Sequence, residues 1–299
     1  MKHLSKGHNT AVLQAFFVTF LWSTSWVLIK FALKDLPPLT FAGLRFVIAF
    51  LFLAPFSLKK ENIAQIKGMN RHAWLEVALL GILYYAITPG GQNLGLSYLP
   101  ANTLSLIISF TSVVVAFLGM LLLKEKPTLP QWLGLGLYLI GALVYFWNGL
   151  ENSVSLIGIT VGIITMAANS LSAILGRKIN KTGQIAPLLV TTLSMGIGAF
   201  LLLGVGLAVE DLPALTPVHW LLTLWLALVN TAFAYQLWNK TLVVLPALDS
   251  VLINNSMLVQ ISILAWVFLK ESLSALQIVG LVMATIGLIA VQFYSSKKE

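Results

Sequence analysis

The chain has 299 residues, 58% hydrophobic and only 9% charged, with a net charge of +8 and no cysteine. Soluble domains carry about 25% charged residues, so this much apolar surface argues against water as the solvent and for lipid. The missing cysteine excludes a disulfide frame and thiolate chemistry. The basic residues lie in short links between apolar runs, a pattern that argues against nucleic acid as partner.

Residues 1–9 are polar and basic. The apolar run after them is too long for a removable signal peptide and lacks a small-residue cleavage site, so it is read as a helix. A spanning helix needs roughly 20 mostly apolar residues. Ten runs meet that length: 11–33, 38–58, 73–98, 101–123, 129–148, 155–177, 186–208, 217–239, 247–269 and 275–294. They are continuous rather than alternating, which predicts helices and not barrel strands. The links are short and often carry proline, at Pro37, Pro38, Pro100, Pro127, Pro213, Pro217 and Pro246.

On the first run, Trp22, Ser25 and Trp26 are candidates to line a cavity, and Lys30 sits at its end as an interfacial anchor. On the second, Arg45 lies seven residues past Pro38, about 10 Å into the bilayer at a helical rise of 1.5 Å. An ionisable group there is functional, snorkels outward or makes a structural bond to a loop carbonyl. As a functional group it is a cationic anchor for a substrate carboxylate, two of whose oxygens the planar guanidinium can bind.

The third run carries Tyr84, Tyr85, Pro89, Gly90, Gly91, Gln92 and Asn93. Proline frees a carbonyl and kinks the helix, giving a cavity-lining break or close packing. On the fourth, Ser105 and Ser109 share a face at i, i+4. Lys124-Glu125 then forms a charged elbow at a helix end. On the sixth run Asn169 and Ser172 are candidates. On the eighth they are Asn230, Tyr235, Trp238 and Asn239. On the ninth they are Asn255 and Gln260, each needing its own partner. Asp249 falls in the first turn after Pro246, where an acid complements the helix dipole or couples to protons.

The chain repeats itself. Leu99-Pro100-Ala101, Lys124-Glu125, Gln131, Gly134 and Gly141 recur as Leu245-Pro246-Ala247, Lys270-Glu271, Gln277, Gly280 and Gly287, at a constant ungapped offset of 146. Asn93 and Asn239 keep that offset, as do Ser109 and Asn255. Two related halves follow, 1–150 and 151–299, each with five helices. With the N-terminus in the cytoplasm, fourteen Lys and Arg fall on that side against three outside, and both termini are cytoplasmic. An odd number of helices per half makes the repeat inverted, the plan of many secondary transporters with a midplane site between the halves. Cysteines placed at Ser5 and Ser296 should resist an impermeant maleimide applied outside intact cells. Labelling of either one overturns the topology.

These pieces resemble the drug/metabolite transporter superfamily, in its ten-helix EamA branch. The resemblance rests on Leu21-Trp22-Ser23-Thr24-Ser25-Trp26 with Lys30, on Phe41 to Arg45, on the two Lys-Glu elbows with their Gln and Gly, and on Trp238-Asn239-Lys240. It implies a ten-helix basket with a central cavity that exports small metabolites, often amino acids. Asn254-Asn255 departs from the small or apolar residues and proline usual there, which bears on the substrate.

The expectation is an all-α polytopic protein of the inner or plasma membrane, with ten transmembrane helices in two inverted repeats. It is a carrier of small organic metabolites such as amino acids, with a multidrug or cation efflux carrier, or a lipid-modifying enzyme, as the alternatives. Its partners are the bilayer and a small-molecule substrate, as a monomer or a homodimer. The substrate contacts are Trp22, Ser25, Trp26, Arg45, Tyr84, Gln92, Asn93, Ser109, Asn169, Tyr235, Trp238, Asn239 and Asn255. No cofactor or metal is expected: His3, His8, His72 and His219 show no ligand spacing, no phosphate loop follows a strand, and no catalytic constellation accompanies the serines.

Overall fold

The computed structural model describes residues 2–99, 101–125, 127–147, 155–211, 214–269 and 273–295. The elbow at Lys270-Glu271 lies outside them, with Pro100, Lys126, Glu151, Pro213, Ser296, Lys297 and Lys298, and so do the side chains of Ser5, Trp26, Lys30 and Ser105.

Every described element is helical. The chain opens with α1 (Lys2–Ala32) and α2 (Pro38–Ser57), then the short α3 (Lys60–Gly68). α4 (Arg71–Gly81) runs through a π-helical turn at Ile82–Ile87 into α5 (Thr88–Tyr98). α6 (Ala101–Ser109), α7 (Thr111–Leu118) and α8 (Leu129–Phe146) follow, with a second π turn at Gly119–Leu123. Next come α9 (Leu156–Thr182) and α10 (Pro187–Val209). α11 (Pro217–Ala227) passes through a π turn at Leu228–Phe233 into α12 (Ala234–Val244). The chain closes with α13 (Ala247–Asn255), α14 (Met257–Leu269) and α15 (Ala275–Ser295). Among the described residues, eight helices are long and apolar enough to cross a membrane. Their outer faces carry Leu121, Leu133, Trp266 and Phe268, all more than half exposed. Apolar surface on that scale needs hydrocarbon around it.

The helix starts obey local chemistry. Thr128 caps α8 in a reciprocal box with Gln131, Thr216 does the same for α11 with His219, and Ser274 and Gln277 exchange the same two bonds before α15. Each box satisfies otherwise orphaned N–H groups. The N-terminus of α2 is capped from afar: the Glu210 carboxylate accepts from the amides of Leu39 at 3.0 Å and Thr40 at 2.7 Å.

Two features differ from the expectation drawn from hydropathy. The link after the second run contains α3, a polar helix with no buried residue. Its sequence has too few apolar positions to announce itself. The third run is broken by a π turn that ends before Pro89, and the same turn recurs 146 residues on, where Tyr235 stands in place of the proline. Proline is therefore not what widens the helix. At both turns a threonine hydroxyl bonds back five residues: Thr88, just past the first, to the Leu83 carbonyl, and Thr231, within the second, to that of Leu226, each at 2.8 Å.

α8 and α15 pack backbone against backbone. A Cβ added at Gly141 would meet the backbone of Ala284 and Gly280, and one at Gly287 the backbone of Gly134 and Tyr138. α1 is fastened to α14 by polar groups instead. Ser23 donates to Oε1 of Gln260 at 2.9 Å, and the Gln260 amide donates to Thr19 and Ser256 at 3.0 Å.

Candidate functional site

Arg45 lies two turns into α2. Its guanidinium carbon sits 4.7 Å from the Phe46 ring centre, a cation–π distance. Its Nε is buried and has no hydrogen-bond partner, and among the described residues no carboxylate pairs with it. Even half-buried, a cation without a counter-charge loses hydration that nothing repays.

Around it stands a ring cluster drawn from four elements. Tyr235, the second residue of α12, is the hub: its ring centre lies 4.9 Å from Trp22, 5.8 Å from Phe46, 5.3 Å from Tyr84 and 5.0 Å from Tyr85. Trp238, one turn on, stacks against Trp22 at 5.2 Å. These tilted and edge-on pairs match the preference set by ring quadrupoles. Tyr84 and Tyr85 belong to the first π turn, whose wider winding brings adjacent residues nearer one face; such turns concentrate at functional sites. The Tyr85 hydroxyl is buried and meets no partner at hydrogen-bond geometry.

The second π turn holds the cluster in place. Trp22 donates its indole N–H to the Asn230 carbonyl at 3.0 Å, and the Asn230 amide returns bonds to the Leu21 carbonyl and, at 3.3 Å, to Thr24. Asn230 occupies the repeat position of Tyr84.

Trp22, Arg45, Tyr84, Tyr235 and Trp238 thus come together. Of the other residues expected to contact substrate, Trp26 has its side chain outside the described residues and the rest lie outside the ring cluster. Ser25 is buried and bonds back to the Trp22 carbonyl within α1. Gln92 is partly buried on α5, and Asn93 next to it donates to the Pro38 carbonyl at 3.1 Å. Asn239 is buried in a chain of bonds. Its amide donates to Thr191 at 3.0 Å and to the Tyr235 carbonyl at 3.2 Å, and its oxygen accepts from Asn180 at 2.9 Å. Ser109 is buried at the end of α6, and Asn169 is partly buried on α9. Asn255 is the last residue of α13, with its amide nitrogen buried and unpartnered, as is the oxygen of Asn254. Asp249 is fully buried in the first turn of α13 and accepts from Gln131 at 3.1 Å. Sequence reasoning passed over Phe46 and Asn180. The adjacency of Phe46 to Arg45 was a signal for the first; nothing local marks the second.

The EamA-like transporter family matches the chain twice, at residues 9–147 and 156–293. The chain belongs to this family. Among curated proteins it is 32% identical over 217 residues to the uncharacterized transporter YvbV of Bacillus subtilis (strain 168), covering 72% of this chain and 68% of that one. It is 27% identical to an S-adenosylmethionine/S-adenosylhomocysteine transporter of Chlamydia muridarum (strain MoPn / Nigg), over 88% of this chain and 85% of that one. It is 24% identical to a protein of Escherichia coli (strain K12) named "Probable amino-acid metabolite efflux pump", over 92% of both. A solved crystal structure overlays with a TM-score of 0.80 at 15% identity, covering 97% of this chain and 99% of that one, which shows a shared fold. Family membership and the apolar helices make this EamA-like chain an integral membrane transporter of small molecules.

Proposed function

We propose that the protein exports a small metabolite bearing a carboxylate, such as an amino acid, by alternating access between two inverted five-helix halves. The observation that carries the substrate class is Arg45, a half-buried cation whose Nε has no partner and which pairs with no carboxylate among the described residues, beside a cluster of rings. A carboxylate supplies the missing partner through charge-assisted bonds. The rings of Trp22, Tyr84 and Tyr235 cover a carbon skeleton or a flat heterocycle. The names of the Chlamydia and Escherichia relatives support this reading, since both describe amino acids or compounds built on one. The same Arg45 disfavours a lipophilic cation, which would meet like charge.

Two observations support the inverted halves. The segments α4, π turn and α5 recur as α11, π turn and α12 at the offset of 146. Along the α8–α15 seam, Gly134 meets Gly287 and Gly141 meets Gly280. Those contacts exchange into each other when the two halves are swapped, and the two helices run in opposite directions. A two-fold axis lying in the membrane plane has these properties.

Counterflow tests the function. Proteoliposomes preloaded with unlabelled amino acid should accumulate the labelled one transiently, and uptake should saturate. Non-saturating flux would point to a channel. Transport of quaternary ammonium dyes with none of amino acids or S-adenosylmethionine would defeat the carboxylate reading. Asn255→Leu is expected to weaken apparent affinity about tenfold with normal expression, the worth of one hydrogen bond of about 1–2 kcal/mol. Unchanged kinetics removes Asn255 from the substrate's path.

A further inference from the structure

At the end of the molecule where α1 begins, an ion pair grips the turn between two helices of the site. Arg177, on α9, is 7% exposed, and Glu125, in the elbow before α8, is 17% exposed. Their bond is 3.1 Å, from Nε to Oε1. Arg177 also donates to the carbonyls of Leu242 at 2.6 Å and Val243 at 2.9 Å, in the last turn of α12. The second oxygen of Glu125 accepts from the Ala247 amide at 2.9 Å, at the first residue of α13. A cation thus sits on a helix C-terminus and an anion on the next helix's N-terminus, each on the favourable end of a dipole. Lys124, with φ 55°, is the non-glycine residue in the left-handed region among those described, and it turns Glu125 inward. Such strain persists where the surroundings over-determine it.

One of the helices so gripped carries residues of the ring cluster, and the other ends at an unpartnered amide nitrogen. α12 bears Tyr235 and Trp238, and α13 ends at Asn255. Glu125 lies in the first family match and Arg177 in the second, so the pair also ties one half to the other. The repeat position of Arg177 is Phe31, half exposed, so the arginine itself has no counterpart there.

We propose that Glu125 and Arg177 form a latch that closes this end of the substrate pathway and must release in every transport cycle. Closing is favoured because one guanidinium satisfies two carbonyls and a carboxylate at once, a state that water matches only after the pair separates. The asymmetry between Arg177 and Phe31 biases the resting transporter toward closure at the Glu125 end. This inference rests on the alternating-access reading, but its first test needs no substrate and stands apart from which solute is carried.

The chain has no cysteine, so Tyr84→Cys gives a single reporter in the ring cluster. It is labelled with an impermeant maleimide in sealed vesicles that present the Glu125 end to the reagent. Glu125→Gln keeps an oxygen for the Ala247 amide and removes the charge. It should speed labelling about tenfold, the shift expected when one charge-assisted bond no longer holds a two-state equilibrium. Lys178→Ala breaks the neighbouring exposed pair with Glu76 and should leave the rate unchanged. Equal labelling in Glu125→Gln and its parent overturns the latch. If that variant fails to reach the membrane, Glu125→Cys/Arg177→Cys decides: a thiol-cleavable cross-linker should stop counterflow, and reductant should restore it. Full transport while cross-linked shows that this contact never opens and overturns the proposal.

Discussion

Replacing Gly141 with leucine should leave almost no folded protein, whereas the same change at Gly136, on the same helix, should be tolerated. A Cβ at Gly141 would lie 2.5 Å from the Ala284 nitrogen and 2.7 Å from the Gly280 oxygen, while one at Gly136 meets nothing within 4 Å. Those neighbours are backbone, so the strain cannot be relieved by a rotamer change; α8 and α15 must separate. Overpacking a tight interior costs about 1–3 kcal/mol and sometimes more. In a bilayer the loss is compounded, because helix association there rests on close van der Waals contact rather than on expelling water. Gly141→Ala should already lower the thermal midpoint in detergent. Size-exclusion profiles and thermal unfolding of the three variants decide the matter, and a well-folded Gly141→Leu would mean the seam is not the structural spine.

Replacing Arg45 with leucine should do the opposite to stability and more to activity. Among the described residues no carboxylate pairs with Arg45, and its buried Nε has no partner, so its removal relieves a desolvation penalty and the thermal midpoint should rise, as replacing buried charges with apolar groups can do. Counterflow of carboxylate substrates should fall by about 10- to 100-fold in apparent affinity, from the loss of about 1.5–3 kcal/mol of hydrogen bonding to a charged group. Arg45→Lys keeps the charge but not the fork, and should recover part of that loss. A variant that is more stable and less active identifies a residue kept for binding, the trade expected at a functional site. Normal transport by Arg45→Leu would remove the carboxylate anchor, and a large fall in stability would show that Arg45 holds the fold together.

Much of this was legible from residues alone. Hydropathy and its continuity set the class, and the helices fall where the apolar runs lie. The 146-residue offset picked out Gln131 and Gln277, each of which closes a capping box in the structure, and the glycines of the seam. Arg45 announced itself because a cation far inside an apolar run is rare. These signals are local: they depend on side chains within a few turns of one another, or on one segment repeating another.

Tertiary structure decided the rest. Asn239 and Asn255 looked alike as polar residues on neighbouring helices, yet one is saturated by Thr191, Asn180 and its own helix, and the other keeps a bare amide nitrogen. Which outcome an asparagine meets depends on what the helices across from it carry, 48 and 59 residues away in the chain. The same holds for Tyr235, which became the hub only because α1, α2 and the first π turn converge on it. It holds for Glu125, read only as part of a charged elbow at a helix end, which turns inward to Arg177, 52 residues on. Whether a polar side chain finds a partner or stays unpaired for a ligand is fixed by helix packing, and packing is not written in any one segment.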